Sequence, residues 1–246
     1  MNFYALIIGS EILNGRREDK HFEFVRKELD KYGHELHAAF IVKDDIELMK
    51  TMYKLIKADK DAVMFSFGGI GSTPDDLTRE ISAEIFTAKP LVRHKEFKKN
   101  IIDRFKEEAY PHRIHMSDLP QNASLLFNPI NNMSGYSLSD KFFFVPGFPQ
   151  MAHPMIKNVI EKFFSNSVEK FRYTLLAQTS ENTLIDIMEL IPTDIELSSL
   201  PIIKDGLASV ELSLSGLEKS KVQKYFNLFI DELKKEKIDY KLIKNM

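Results

Sequence analysis

At 246 residues the chain is long enough to bury a sizeable core, and its length suits one main domain plus a small second one. Hydrophobic residues at 43% and charged residues at 28% exclude a disordered or fibrous chain, while 34 Lys plus Arg against 36 Asp plus Glu leave no bulk field to draw nucleic acid or an anionic membrane. The lack of cysteine removes disulfides, thiolate nucleophiles and Cys-ligated zinc, and it suits a cytoplasmic protein.

Phe3 to Ile8 is an unbroken apolar run with no basic residue before it and with Gly9 and Glu11 after it. It reads as a strand buried on both faces, not as a signal peptide. No stretch approaches the ~18 consecutive apolar residues of a membrane helix. After a polar loop from Gly9 to Arg17, a helix is expected from about Lys20 to Tyr32, with Phe22, Val25 and Leu29 on its inner side and Gly33 as C-terminal cap. A second strand spans Leu36 to Val42. Asp44 and Asp45 open a helix whose Ile46, Met49, Met52, Tyr53 and Ile56 form an apolar stripe, and Ala62 to Phe67 is a third strand. This βαβαβ order predicts a parallel sheet between helices, with ligand sites beyond the strands' C-terminal ends.

A helix is expected around Lys95 to Glu108, then strands at Ser124 to Phe127 and Lys141 to Val145 joined by an Asn/Gly-rich turn, and a helix from about Met151 to Phe164. Ser165, Asn166 and Ser167 mark a boundary, which divides the chain into residues 1–167 and 168–246. The tail reads as strand (Arg172 to Gln178), helix (Glu181 to Leu190), strand (Glu196 to Ile203), strand (Ala208 to Ser215), helix (Glu218 to Lys235) and strand (Asp239 to Ile243). With Asp205-Gly206 as a hairpin signal, βαββαβ predicts a small ferredoxin-like α+β layer.

The chemistry concentrates in Phe65 to Glu80, where a buried strand runs into Gly68, Gly69 and Gly71 and then toward a helix. Glycines let backbone N–H groups approach a ligand, and with a helix N-terminus they form a cradle for phosphate. A structural reading competes: Thr73 as N-cap, Pro74 at the first helical position and Asp76 closing a capping box. If phosphate sits there, Asp75 and Asp76 require a compensating divalent cation, and Asp44 at the end of the second strand is a third carboxylate for it, or else another helix cap. His112, His115 and His153 show no metal-site spacing and are read as surface residues. The nineteen phenylalanines are read as core and interface packing.

Gly68, Gly69, Gly71, Thr73, Asp75, Asp76, Thr78 and Glu80 stand where the motif GGxGPTxDDxT asks, with Ser72 in place of its proline. Ile8-Gly9-Ser10-Glu11-Ile12-Leu13-Asn14-Gly15 is similar to IGDELLxG. Asn128-Pro129 followed by Gly135-Tyr136 is similar to NPxGTAPGF, and Val145-Pro146-Gly147-Phe148-Pro149 to LPGVP. In these motifs the chain resembles the N-terminal part of the CinA family of competence/damage-inducible proteins, within the molybdopterin-binding fold that includes MogA and MoaB. The tail resembles the CinA middle domain in length and strand pattern.

The resemblance implies a three-layer α/β/α MogA/MoaB-like sandwich with a mainly parallel sheet, followed by the small α+β domain. It implies phosphate-ligand contacts from Gly9, Glu11, Gly68, Gly69, Gly71, Ser72, Thr73, Asp75, Thr78, Asn128, Pro146 and Gly147. It also implies a divalent cation (Mg, Mn or Co) on Asp44 and Asp76, which would then be the catalytic pair, and a homodimer, for which the apolar segment Phe142 to Phe148 offers surface. Three functions follow: a metal-dependent pyrophosphatase acting on ADP-ribose or a related dinucleotide, a module binding molybdopterin or its adenylylated form, or a non-catalytic regulatory or assembly domain. Of these the pyrophosphatase is the expected function and the non-catalytic reading its alternative, which gains weight from Ser10 in place of the motif's aspartate and Met151 in place of a family glutamate; Asn131 and Asn132 also stand in place of Gly-Thr. The amide-hydrolysing module that some CinA proteins carry is expected to be absent.

Overall fold

A computed structural model describes residues 1–166, 169–204 and 206–243. The chain forms two compact units, 1–167 and 168–246. Ser167 and Asp205, on which the boundary and hairpin readings partly fall, lie outside the described residues.

In the first unit β1 (Asn2–Ile8), α1 (Ser10–Leu13), α2 (His21–Asp30), β2 (Leu36–Val42), α3 (Ile46–Ala58) and β3 (Ala62–Phe67) are followed by α4 (Thr78–Ser82), which continues as a π-helical turn over Ala83–Thr87. Then come β4 (Val92–Arg93), α5 (Lys95–Phe105), β5 (Asp118–Leu119), β6 (Ser124–Leu126), β7 (Gly135–Leu138), β8 (Phe142–Val145) and α6 (Pro149–Phe163). The six-stranded sheet runs β2-β1-β3-β8-β7-β6, with β2, β1, β3 and β8 parallel and β7 and β6 joined to it by antiparallel pairing.

The continuous apolar runs are central strands because both faces of the sheet are covered. On one face Phe3 and Ile7 of β1 join Val25 and Leu29 of α2 and Ile156 and Ile160 of α6. On the other, Tyr4, Leu6 and Ile8 join Met49, Tyr53 and Ile56 of α3 and Ile101 of α5. Each such side chain contributes roughly 1.5–3 kcal/mol when fully buried. The run Phe143 to Val145 is spent in this core, leaving Phe148 as the large exposed side chain of the segment expected to pair two copies.

The structure departs from the sequence reading in several places. Phe22 is 44% exposed, and His21 takes the inward place beside Val25, Glu28 and Leu29. The phase is set by Asp19, whose carboxylate accepts the His21 and Phe22 amides at 2.9 and 3.0 Å. Ile46 is likewise 46% exposed, because α3 starts there and its buried face begins at Met49. The Asn/Gly-rich connection before β8 hides a strand, β7, whose Gly135 lies so near Phe144 that a Cβ would meet its carbonyl oxygen at 2.3 Å. The helix expected to reach Glu108 ends at Phe105 and tightens into a 3-10 turn at Lys106–Ala109.

The second unit comprises β9 (Phe171–Ala177), a 3-10 turn at Glu181–Leu184 leading to α7 (Ile185–Met188), β10 (Glu196–Lys204), β11 (Leu207–Gly216), α8 (Lys219–Lys235) and β12 (Tyr240–Ile243). Its antiparallel sheet has the order β10-β11-β9-β12, the ferredoxin-like arrangement that βαββαβ predicts. Leu175, Val210, Leu212, Leu214, Val222, Phe226 and Phe229 form its core. Among the described residues no helix is long and apolar enough to cross a membrane.

Because each core draws on one unit alone, the units should melt separately. Phe143→Ala, at a fully buried position of the first unit, is expected to cost that unit about 3–5 kcal/mol and to leave the second unit's transition in place. Calorimetry showing both transitions move together would reject independent cores.

Candidate functional site

β1 lies between β2 and β3, so the chain leaves β1 toward one side of the sheet and returns on the other. Such a switch point opens a crevice at the strands' C-terminal ends. Gly9, Gly68 and the Pro146-Gly147 turn all sit there, directly after β1, β3 and β8.

The strand ends meet backbone to backbone. The Gly68 amide donates to the Val145 carbonyl at 3.0 Å. At φ +99° a Cβ on Gly68 would meet the Ile8 carbonyl oxygen at 2.4 Å, which excludes every other residue. A Cβ on Gly147 would lie 3.4 Å from the Gly68 Cα. Gly69 follows at φ +68°, where a Cβ would strike the Thr78 hydroxyl, and that hydroxyl donates to the Gly68 carbonyl at 2.9 Å. Thr78 is therefore a buried brace of the loop and does not face a ligand.

Asp76 organises the rest of the loop. One carboxylate oxygen accepts the Gly71 amide at 2.8 Å, while the other accepts the Thr73 amide at 2.8 Å and the Thr73 hydroxyl at 2.6 Å. The Asp76 amide closes the turn onto the Thr73 carbonyl at 3.0 Å. This overturns the capping-box reading: α4 begins at Thr78 with Leu77 as its cap residue, because the carboxylate folds residues 71–76 into a turn instead of a first helical turn. Arg79, 5% exposed, reaches back from α4 to the carbonyls of Ile70 (2.6 Å) and Gly71. With those carbonyls held inward, the amides of Gly69, Ile70 and Ser72 donate no hydrogen bond among the described residues. Asp75 is exposed at the rim.

Asp44 is not the cap of α3 either. Asp45 fills that place, accepting the Leu48 amide at 2.8 Å. Asp44 turns to the end of β1, where one oxygen accepts the Ser10 amide and the Ser10 hydroxyl, each at 2.9 Å. Asp44 and Asp76 thus serve two different loops. Among the described residues no three His, Cys, Asp or Glu side chains converge on a point that would hold a metal ion. Asn128 is fully buried and binds Asn131 and the Met133 carbonyl, so it shapes its own loop.

Beside the loop, across Gly147, lies a cleft of about 660 Å³ lined by Glu11, Arg17, Lys20, His21, Phe148 and His153 among others. His153 is not the plain surface residue that its spacing suggests: its ring stacks on Phe24 with centroids 3.8 Å apart and stands edge-on to His21 at 5.3 Å. His21, 3% exposed, stacks on Phe67 at 4.3 Å and its Nε2 lies 3.3 Å from the Gly147 carbonyl. Burial, the largest influence on both, pulls each imidazole below the ordinary histidine range, against the opposing pull of Asp19. The helical spacing of His21 with Val25 and Leu29 is the sequence signal for its burial. Arg79, Arg17 and Phe148 offer no comparable local signal.

The geometry of Asp76 and of the two histidines can be tested separately. Asp76→Asn keeps the size of the side chain but turns one acceptor into a donor facing an amide, so the first unit is expected to lose about 1–3 kcal/mol; an unchanged melting midpoint would show that the carboxylate does not hold the turn. Between the depressed folded pKa values of His21 and His153 and the ordinary value of about 6.5, the unfolded chain binds protons that the folded one does not. Stability should therefore fall as pH drops below about 6.5, and His153→Phe, which preserves the stack on Phe24, should flatten that slope. Identical slopes for the two proteins in denaturant titrations would disprove it.

The family described as "probable molybdopterin binding domain" matches residues 4–166. A "CinA-like protein" of Flavobacterium psychrophilum is 27% identical over 247 residues, covering 95% of this chain and 58% of the relative. A protein of Archaeoglobus fulgidus is 26% identical over 243 residues, covering 96% of this chain and 100% of the relative. The crystal structure of CinA from Thermoplasma acidophilum superposes with a TM-score of 0.59 at 25% identity, over 66% of this chain and 98% of that one. The chain spans 40% and 47% of the length of CinA-like and competence-damage-inducible relatives from Fusobacterium nucleatum and Clostridium kluyveri. With that match covering the whole sandwich, the chain belongs to the probable molybdopterin binding domain family and has CinA-like proteins among its relatives.

Proposed function

We propose that the first unit binds the phosphate of a nucleotide or pterin at the loop Gly68 to Asp76, acting as a CinA-like binding or regulatory module. The observation that carries this reading is the set of undonated amides at Gly69, Ile70 and Ser72, beside a cleft of ligand size and at the sheet's switch point. The loop is preorganised, since Asp76, Thr78 and Arg79 fix it from within.

The alternative, a pyrophosphatase cleaving ADP-ribose or a related dinucleotide with Mg, Mn or Co, has less support. Its proposed ligands Asp44 and Asp76 already accept from Ser10 and from the loop, and among the described residues no third His, Cys, Asp or Glu joins either to complete a three-residue metal cluster. No catalytic step is assigned to them. Cation chemistry here would need a metal carried in with the ligand's phosphates, in the manner usual for magnesium.

A thermal-shift panel of pyrophosphate, AMP, ADP-ribose, FAD and molybdopterin, each with and without Mg, Mn or Co, separates the two. The expected result is a raised midpoint with phosphorylated ligands in metal-free buffer, and an affinity at least ~10-fold weaker, about 1.4 kcal/mol, in Asp76→Asn. Metal-dependent release of AMP from ADP-ribose, lost in that variant, would establish the pyrophosphatase instead.

A further inference from the structure

The six-stranded sheet ends on one side at β2, beyond which no strand is paired among the described residues. Natural sheets blunt such an edge with charged side chains or proline, because its unpaired N–H and C=O groups invite another strand. β2, Leu-His-Ala-Ala-Phe-Ile-Val, carries neither a proline nor an acidic residue, lysine or arginine. The Val42 carbonyl accepts the Gly9 amide on the β1 side, so Ala38 and Phe40, of the same parity, turn their backbone groups toward β1 while Ala39 and Ile41 turn theirs to the open edge. The irregularity in the β1–β2 register lies between Phe3 and Tyr4, before this stretch.

A helix flank overhangs the same edge. α3 meets α4 and the π-helical turn through Lys50, whose ammonium lies 2.8 Å from Glu84, and through Lys57, which donates to the Ile85 carbonyl. Those elements sit over β7 and β8, where the Ser82 and Tyr136 hydroxyls are 2.7 Å apart and the Phe86 ring is 4.4 Å from that of Phe142. The opposite flank of α3 therefore points past β2. Leu48, Met52 and Leu55 occupy it at the i, i+4, i+7 spacing of one helical stripe. Leu48 is 37% and Leu55 49% exposed, while Met52, like Ala38 and Phe40, is packed partly against the core.

We infer that this face binds a second copy of the chain, β2 pairing antiparallel with β2 of the other copy about a two-fold axis at Ala39. The axis brings Ala39 opposite Ala39 and His37 opposite Ile41, and at the strand ends it sets Glu35 of each copy opposite Lys43 of the other. Moving the axis to Phe40 would set Glu35 against Asp45, so the charges select Ala39. The same axis fits the helices. From Ala39 to the end of β2 at Val42 is about 10 Å at the rise of a strand, and α3, running back from Ile46, covers that distance in about seven residues. Residues 51–52 are thus level with the axis, in the middle of the stripe, and Leu48 of one copy meets Leu55 of the other. Strand edge, apolar stripe and flanking charges therefore share one self-complementary arrangement.

Sedimentation equilibrium of the full chain tests the pairing. A dimer at micromolar concentration is the expected result, and Ala39→Glu, which sets two carboxylates together on the axis, should weaken it at least ~10-fold with an unchanged circular-dichroism spectrum. Lys43→Glu should weaken it too, and adding Glu35→Lys should restore the wild-type constant, a rescue that neither a fold defect nor a different interface would give. Because the chain has no cysteine, Ala39→Cys introduces one thiol per copy. A short bismaleimide should join two copies through it, whereas Lys162→Cys, at an exposed position of α6, should stay unjoined. A wild-type chain that remains monomeric at submillimolar concentration, or a dimer that Ala39→Glu and Lys43→Glu leave intact, would overturn the pairing.

Discussion

At Gly68 the main chain passes so close to the Ile8 carbonyl that a single added carbon would sit 2.4 Å from the oxygen. That closeness follows from the parallel register that brings Ile7, Phe67 and Val145 level at the ends of β1, β3 and β8. Once three strand ends are level and touching, the chain leaving β3 has one route outward. It takes that route with two consecutive positive φ values, and Thr78, Arg79 and Asp76 then lock the path. The glycines therefore answer first to the protein's own backbone and side chains. Any capacity for a ligand comes from which amides remain after those internal bonds are made.

The same accounting of donors changes the meaning of the acidic residues. A carboxylate accepting three donors is a structural hub of the loop it closes. Asp44 plays a similar part between β1 and β2, where a serine supplies both partners. In each case the acid joins segments far apart in sequence or direction, and the crevice is shaped by those joins.

Much of this is legible in the sequence, for physical reasons. β1 and β3 announce themselves because strands covered on both faces must be apolar throughout, and the ferredoxin-like order of the tail follows from its alternation of elements. The start of α4 is not legible, since Thr-Pro-Asp-Asp suits both a capping box and an Asp-closed turn; the turn is closed by Gly71, whose amide takes the second oxygen of the same carboxylate. β7 is hidden because Gly-Tyr-Ser-Leu has little strand signal of its own and is held by Phe142 to Phe144 on one side and by β6 on the other. The inward position that periodicity gives to Phe22 belongs to His21, a one-residue difference of helical phase that Asp19 decides. The meeting of Arg17 with Phe148 has no local signal at all, because it joins loops far apart in the chain that only the β1-β3-β8 order brings together.

The antiparallel strands at the sheet's far margin have one more effect. Because β7 runs against β8, the connection from β6 to β7 returns to the same end of the sheet as Gly68 and Gly147, and Asn131 reaches the Met151 sulfur at 3.0 Å on the first turn of α6. A surface connection of this length tolerates insertions at little entropic cost, whereas a crossover helix must span the sheet. Residues 127–134, with Phe127 and Ile130 exposed and Asn128 buried beneath them, form a lip on that rim. Changes of chain length fall there at least cost, at a margin where altering the chain leaves the parallel strands and the loop they support undisturbed.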